Sequence, residues 1–379
     1  MLLLITLSMG SLLFAQVASG DGKASSTGQA HDAEALVQRA MTAEKSGDLK
    51  TAIEDYRKAL ALRPDLMDAH VGLGGALVAA GQLDEAIDED TRALVVAPGN
   101  VALGTNLGQA YYRKGDLGHA RSQFETVHRA NPGDVNAAVL LGYTYIRMSR
   151  EADAADLLTP MEAGHEDNLD LEYVLGYAMI RSGREADGVP RMEKVAKAKN
   201  SAEAWVVAGS ARYYRNEGDD MVQARADLDA AVALNPNLPG LQTMAGQARY
   251  AMLDYPAAAI AFQAALRADP MDFVANRDLG AMRLKGGDTE NARPLLELAF
   301  QLHPDDPLTR IEFAKLNDQT GKYAEALAIL DGLIKSEPKW SYPHWVLAQV
   351  YAEMKRPEDA KRERAIAHEM ELKEKADKK

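Results

Sequence analysis

The chain has 379 residues, of which 47% are hydrophobic, 6% aromatic and 26% charged, a composition typical of soluble helical proteins and unlike that of disordered or collagen-like chains. Its formal net charge of -13 provides no overall field that would attract nucleic-acid phosphates or anionic lipids. Because the sequence contains no cysteine, disulfides, thiolate zinc sites, iron-sulfur clusters and thiol nucleophiles are excluded.

An apolar segment begins the chain. Residues 2–15 form an apolar run of 14 residues, whereas a membrane-spanning helix needs about 20. Small residues that suit a signal peptidase follow at 17–20, so we expect residues 1–20 to be a signal peptide. No Lys or Arg precedes the run, and an uncleaved N-terminal anchor is the alternative. Residues 21–32 are small and polar, which predicts a flexible linker.

From residue 33 the sequence repeats with a period of 34. Pro64, Pro98 and Pro132 lie 34 residues apart, and position 8 of every unit is Ala or Gly. Large residues recur at helical spacings on either side of a turn such as residues 114–116, so each unit is predicted to be a helix-turn-helix pair. The ten units are 33–66, 67–100, 101–134, 135–168, 169–201, 202–238, 239–272, 273–306, 307–340 and 341–372, and residues 373–379 are a charged tail.

The small residues at fixed positions allow two helices to approach within about 10 Å. A single pair buries too little apolar surface to offset the entropy of ordering it, so neighbouring pairs must stack. With its Leu-Gly, Tyr, Gly, Ala, aromatic, Ala and Pro positions, the pattern resembles the tetratricopeptide repeat family from residue 33 to about residue 370. The resemblance implies an all-α fold, a right-handed superhelical α-solenoid of antiparallel helix pairs.

The fourth, fifth and sixth units depart from the pattern. The fourth and fifth lack the closing Pro, the fifth is one residue short and contains Pro190, and the sixth is three residues longer around residues 216–220. One interpretation is a flexing point between two halves of the array. The other is sequence drift, which Pro294 favours because it has the same place in the regular eighth unit.

Candidate catalytic or cofactor motifs are few. The glycines of residues 72–75 fall inside a predicted helix with no strand before them, and residues 320–322 lack the earlier glycine of a phosphate loop. His165 lies in a predicted turn. Asp219 and Asp220 are not followed by the regularly spaced oxygen ligands and terminal Glu of a calcium-binding loop. We therefore expect no enzyme activity, no cofactor and no metal.

In the tetratricopeptide family the first helices line a concave groove, which implies a binding surface on units three to six. The surface is apolar and rich in tyrosine, a residue that combines contact area with a polar tip. Its predicted residues are Asn106, Gln109, Tyr112, Arg113, Val139, Tyr143, Ile146, Arg147, Tyr173, Tyr177, Ile180, Arg181 and Tyr213. The alternative is that the aromatic residues pack between adjacent helices.

Arg113, Arg147 and Arg181 share one position in three consecutive units. Stacking would place them as a row about 20 Å apart if each helix takes about 10 Å. As a binding feature, the row would favour extended segments with carboxylates, which guanidinium groups bind in bidentate fashion. The competing interpretation assigns these arginines to solubility and to pairing with helix C-termini.

The sequence therefore predicts a non-catalytic scaffold that binds protein or peptide segments, extended or acidic ones included, and no nucleic acid. If residues 1–20 are a signal peptide, the protein is exported to the bacterial periplasm or beyond; otherwise it is cytoplasmic, and membrane association is expected only through an uncleaved N-terminal segment. The alternative function is a structural component of a secretion, pilus or polysaccharide-export machine that acts through convex or edge surfaces.

Overall fold

The computed structural model describes residues 26–377, with side chains described for residues 30–374. This part of the chain forms twenty α-helices in succession and contains no strand. None of its helices is both long and apolar enough to cross a lipid bilayer. The predicted signal peptide at residues 1–20 lies outside the described residues.

The chain divides into two compact units, one ending at Arg150 and one beginning at Glu151. The first contains α1 (Ser26–Lys45), α2 (Leu49–Leu62), α3 (Met67–Ala79), α4 (Leu83–Val96), α5 (Val101–Lys114), α6 (Leu117–Ala130) and α7 (Val135–Arg147). The second contains α8 (Glu151–Leu158), α9 (Leu169–Arg181), α10 (Glu185–Lys199), α11 (Ala202–Arg215), α12 (Asp220–Leu234), α13 (Leu241–Ala251), α14 (Tyr255–Ala268), α15 (Phe273–Lys285), α16 (Thr289–Leu302), α17 (Pro307–Gln319), α18 (Tyr323–Ser336), α19 (Tyr342–Glu353) and α20 (Pro357–Asp377).

Within each unit, consecutive helices pack against each other as antiparallel pairs, which confirms the predicted all-α solenoid class. Each predicted repeat holds two helices, and the boundary between the two units falls inside the fourth repeat. The ends of the array differ from expectation. Helix α1 begins at Ser26, within the predicted linker, and α20 continues to Asp377 through most of the predicted tail. Once the buried Ala33 and Val37 hold α1 in place, each further helical residue adds one hydrogen bond without a new nucleation cost.

The turns between the two helices of a repeat share one backbone conformation, because position 15 of every repeat has a positive φ. Six repeats place glycine there, the residue for which this left-handed conformation costs nothing. Four of the second helices also begin with a side-chain cap: Asp48, Asp116, Asp254 and Asp288 each accept a hydrogen bond from a backbone N–H of the first turn. The turn residues therefore fix where each pair reverses direction.

The small residue at position 8 brings the two helices of a pair together. In the third repeat, a Cβ on Gly108 would lie 2.6 Å from the ring of the fully buried Phe124. Only glycine allows this ring to lie against the backbone of α5. The pairing of positions 8 and 24 recurs in both units, so it sets the spacing of the helices that display the candidate site.

The irregular repeats have local causes. Helix α8 has only 8 residues and ends in a 3-10 turn at Thr159–Met161, because Pro160 cannot continue the helix. By contrast, α10 runs through Pro190 without a break. The longer turn of the sixth repeat is closed by Arg215, whose Nε and Nη2 atoms donate to Asp220 at 2.6 and 2.5 Å. A flexing point in this region stays a prediction.

Candidate functional site

All the residues predicted to line a groove lie on first helices. Those on α5 and α7 belong to the first unit, and those on α9 and α11 belong to the second. The two sets are therefore described separately.

In the first unit, three of these side chains donate from one first helix to a backbone carbonyl of the preceding first helix. The bonds join Asn106 Nδ2 to Val71 O at 2.9 Å, Arg113 Nη1 to Val78 O, and Arg147 Nη1 to Tyr112 O at 2.9 Å. Val78 and Tyr112 lie near the C-terminal ends of α3 and α5, where each carbonyl also accepts from the backbone N–H three residues on, that of Gly81 or Gly115. Arg113 and Arg147 thus act as helix caps. Pairing with helix C-termini was the alternative to ligand binding in the interpretation of the sequence.

Tyr112 and Arg147 form the best-defined contact of this set. The guanidinium carbon of Arg147 lies 4.7 Å from the centroid of the Tyr112 ring, a cation–π geometry. Burial raises the pKa of the Tyr112 hydroxyl, although the nearby Arg147 lowers it. The ring is half-buried, so part of it is accessible while its orientation is fixed.

The other predicted residues of the first unit differ in exposure. Gln109, Tyr143 and Ile146 are half-buried and retain accessible surface. Val139 is only 4% exposed, so it cannot present a surface to a partner and its assignment to the groove is wrong. The family pattern assigns this position to the groove, but in α7 the small branched side chain is enclosed within the packed interior.

In the second unit, the predicted tyrosines are anchored in the core. Tyr173, Tyr177 and Ile180 are half-buried and pack against a buried cluster that includes Met192 and Ala208. The Tyr173 hydroxyl is itself buried and has no hydrogen-bond partner among the described residues, and burial raises its pKa to about 12. One side of these residues therefore packs between helices, as the alternative interpretation predicts, and the use of their open side for binding stays a prediction.

Arg181 and Tyr213 complete the set. The Arg181 side chain is 61% exposed, and its Nε lies 3.9 Å from Glu151 Oε1, a loose ion pair. Tyr213 is half-buried, and its ring meets the edge of Tyr214 at a centroid distance of 5.3 Å. Tyr214 is 72% exposed, and sequence analysis missed it although it occupies the same repeat position as the three arginines.

A cavity of about 350 Å³ lies on another face of the first unit, among α2, α3 and α4. Leu60, Leu73 and Leu77 are apolar residues in its lining. The charged lining residues pair with each other, Arg57 with Glu85 at 2.5 Å and Arg92 with Glu89 at 2.7 Å. Four of its five charged residues are thus engaged in internal ion pairs, and Asp88 gives the lining one net negative charge.

The motifs considered for catalysis have structural roles. The glycines of residues 72–75 lie inside α3, and Gly321 supplies the positive φ of the turn before α18. Asp220 is bound by Arg215, which holds the pKa of the carboxyl at about 2. Across residues 26–377, no group of His, Cys, Asp and Glu side chains is arranged to hold a metal ion.

Solved structures with a similar arrangement of helices include three repeat proteins. A tetratricopeptide repeat protein from Parabacteroides merdae is 18% identical, with 71% of this chain and 99% of that chain covered and a TM-score of 0.49. YrrB, described as having an unusual peptide-binding site, is 18% identical over 52% of this chain and 100% of its own, with a TM-score of 0.45. Yeast Tom70 is 15% identical, with 89% of this chain and 85% of that chain covered and a TM-score of 0.41.

No curated protein matches the sequence. Two family models, both described as tetratricopeptide repeat, do match, one over residues 37–101, 105–159 and 243–307 and the other over residues 283–350. These stretches together cover more than half of the chain and agree with the helix pairs of the structure. The chain therefore belongs to the tetratricopeptide repeat family, whose fold is generally that of a non-catalytic scaffold for protein interactions.

Proposed function

We propose that this protein is a non-catalytic scaffold whose first helices bind segments of partner proteins. The observation that carries the proposal is the arrangement on α9, where Tyr173, Tyr177 and Ile180 are each half-buried and Arg181 is exposed beside them. One helix thus presents rigid apolar anchors together with a cation.

Anchoring in the core makes these tyrosines efficient binding residues. A side chain already held by packing loses little rotamer entropy when a partner covers its open side. Tyrosine also retains a polar hydroxyl that can pair with a bound backbone.

The charges favour extended segments that carry carboxylates. The Arg181 guanidinium is largely exposed and only loosely paired. Arg113 and Arg147 are committed to backbone carbonyls through one nitrogen each. Because a guanidinium has five N–H donors, each retains donors for a carboxylate. The net charge of -13 argues against nucleic acid as the partner.

We further propose that the scaffold works outside the cytoplasm, in a bacterial envelope or periplasmic complex. The support is the apolar run at residues 2–15, followed by small residues that suit signal peptidase. Mass spectrometry of the secreted or periplasmic fraction tests the location. A mature N-terminus near residue 21 is the expected result, and an intact chain in the cytoplasm would contradict it.

The binding function is tested by co-purification of the full chain from its native cells. Arg181→Glu changes only an exposed charge and is expected to reduce partner recovery several-fold. Tyr177→Ala should do the same, with its helical content checked by circular dichroism. The matched control is Arg267→Glu, which reverses an exposed charge on the second helix α14. Equal recovery with Arg181→Glu and Arg267→Glu would refute the first-helix assignment.

A second candidate function is that of an assembly component that packs through its second helices. Val95 and Val96 at the end of α4 are 78% and 79% exposed, and Ile260 on α14 is 65% exposed. Contiguous exposed apolar surface is typical of interaction sites, and Val95 and Val96 are adjacent in the chain. If Val95→Asp and Val96→Asp abolish complex formation while Arg181→Glu leaves it intact, the assembly function is the correct one.

A further inference from the structure

We propose that the turn between α13 and α14 is a second docking surface, which binds a short partner segment carrying an apolar side chain next to a carboxylate. We call this surface the turn ledge; it consists of Tyr250, Leu253 and Tyr255, with Lys285 at its edge. Tyr250 and Lys285 lie on the first helices α13 and α15, at the repeat positions of Tyr112 and Arg113. The ledge therefore extends the proposed first-helix surface onto a turn and rests on that proposed function, but it uses none of the anchors on α9.

Leu253 is the unusual residue of the ledge. Its φ of 62° places it in the left-handed region, at the repeat position where six repeats have glycine and three others have Ser149, Asn216 and Lys355. For an L-residue such as leucine this conformation is strained, because Cβ comes close to the following carbonyl oxygen. Leu253 is also 69% exposed, so burial does not compensate for the strain. An exposed leucine in a strained turn contributes no burial to the free protein, whereas a partner that covers it would bury its apolar side chain.

Two tyrosines extend the apolar surface on either side of Leu253. Tyr250 and Tyr255 are each 37% exposed, and their rings meet edge to face at a centroid distance of 5.2 Å. The Asp254 side chain accepts a hydrogen bond from the Ala257 backbone N–H at 3.3 Å, which fixes the start of α14. The two rings are therefore held against each other, and the backbone that carries Leu253 is fixed, before any partner binds.

The edge of the ledge is positively charged. The Lys285 ammonium lies 5.3 Å from the centroid of the Tyr255 ring and its side chain is exposed. The adjacent carboxylate, Asp254, is engaged at 3.0 Å by Arg225. An ammonium over an aromatic ring keeps its charge and can attract an anion. Charge complementarity therefore selects a partner segment with a carboxylate beside its apolar side chain.

The size of the ledge fits a short segment better than a second copy of the chain. Large apolar side chains bury about 150–250 Å² each when fully covered, and the three here are already partly covered. The ledge therefore offers roughly 200–300 Å², well below the ~800 Å² per partner of a stable protein interface. A peptide-sized occupant can use so small a patch when the patch is preorganised.

The test uses the full chain and two labelled peptides that contain Leu-Phe, one flanked by Glu and the other by Lys, with binding followed by fluorescence anisotropy. The wild type is expected to prefer the acidic peptide. Leu253→Gly should weaken its binding at least fivefold while leaving thermal stability equal or higher, since glycine relieves the strained φ. Lys285→Glu should reverse the preference between the two peptides. Lys355→Gly, which makes the same exchange at the equivalent turn of the last repeat, is the matched control and should have no effect.

Several results would overturn the proposal. One is that the wild type fails to bind the acidic peptide, and a second is that Leu253→Gly binds it as tightly as the wild type does. A third is a dimer in sedimentation analysis that Leu253→Gly dissociates, because this result would identify a second copy of the chain as the occupant. The first-helix function is separable, because Arg181→Glu is expected to reduce partner co-purification and leave peptide binding to the ledge unchanged. Loss of ledge binding in Arg181→Glu would contradict a separate site.

Discussion

The carboxyl group of Asp90 lies directly against Gly74, at the contact between the two helices of the second repeat. A Cβ on Gly74 would overlap the Asp90 oxygens, and Asp90 has no exposed surface. Neither carboxyl oxygen has a hydrogen-bond partner among the described residues. In seven of the other nine repeats the equivalent position is a large buried aromatic or aliphatic residue, namely Tyr56, Phe124, Leu158, Met192, Phe262, Leu296 or Leu330. The second repeat thus contains an unpaired carboxyl where its neighbours have an apolar core residue.

We expect Asp90→Leu to stabilise the second repeat. Leu296 packs over Gly280 at the same two positions of the eighth repeat, so a leucine fits this geometry. Removing a buried, unpaired carboxyl should contribute about 1–3 kcal/mol. Because long repeat arrays do not unfold all-or-none, the measurement is hydrogen exchange of the amides of α3 and α4. Slower exchange is expected in Asp90→Leu, and unchanged or faster exchange would contradict it.

Asp90 also predicts a dependence of stability on pH. Burial raises the pKa of its carboxyl to about 8, far above the ~3.9 of an unfolded chain. The folded protein therefore retains a proton that the unfolded chain has lost, and stability falls as pH rises from about 4 to about 8. Amide protection in α3 and α4, corrected for intrinsic exchange, should be greater at pH 5.5 than at pH 8.5. In Asp90→Leu this difference should shrink, and an equal difference in both proteins would show that other groups cause it.

The helix pairs could be predicted because their code is local. Each structural feature of a pair depends on the type of residue at a fixed position of the repeat. Examples are the contact of Gly108 with Phe124, the positive φ at Gly115 and the helix cap at Asp116. The candidate site could be predicted only in part. Whether Val139 is buried and whether Arg147 caps a neighbouring helix depend on the helix packed next to it, which no single repeat reveals. Leu253 was missed because its strain is a property of the backbone, invisible in a hydrophobic pattern.

Gly108→Ala is expected to destabilise the third repeat. The added methyl would lie 2.6 Å from the Phe124 ring, which is fully buried and cannot move aside. Overpacking of this kind costs about 1–3 kcal/mol, and amide exchange in α5 and α6 should accelerate. Gly75→Ala is the control, since its Cβ would meet only Asn106 at 3.7 Å and alanine favours the helix. Equal exchange in the two variants would refute the close approach of α5 and α6.

Arg147→Lys is expected to weaken the tie between α5 and α7 although it preserves the charge. Lysine lacks the planar fork that lets Arg147 donate to the Tyr112 carbonyl while its guanidinium covers the Tyr112 ring. The loss should be about 0.5–1.5 kcal/mol, measured as faster amide exchange at the end of α5. Arg129→Lys, an exposed residue of α6, is the control. Equal exchange in both variants would show that the contact contributes no stability.

Arg212 is expected to be the most sensitive charged residue of the second unit. On α11, it pairs with Glu193 on α10 and Asp227 on α12, so one guanidinium joins three consecutive helices. Its side chain is 13% exposed and that of Asp227 is 7% exposed, and burial raises the pKa of Asp227 to about 6 despite the arginine. Arg212→Met leaves two carboxylates without their shared partner, and removing one member of a buried ion network costs about 3–5 kcal/mol. Amide exchange in α10–α12 should accelerate strongly.

Adding Asp227→Leu to Arg212→Met should recover part of the lost stability, because it removes the more deeply buried carboxylate. If nothing is recovered, Arg212 acts through packing and not through charge.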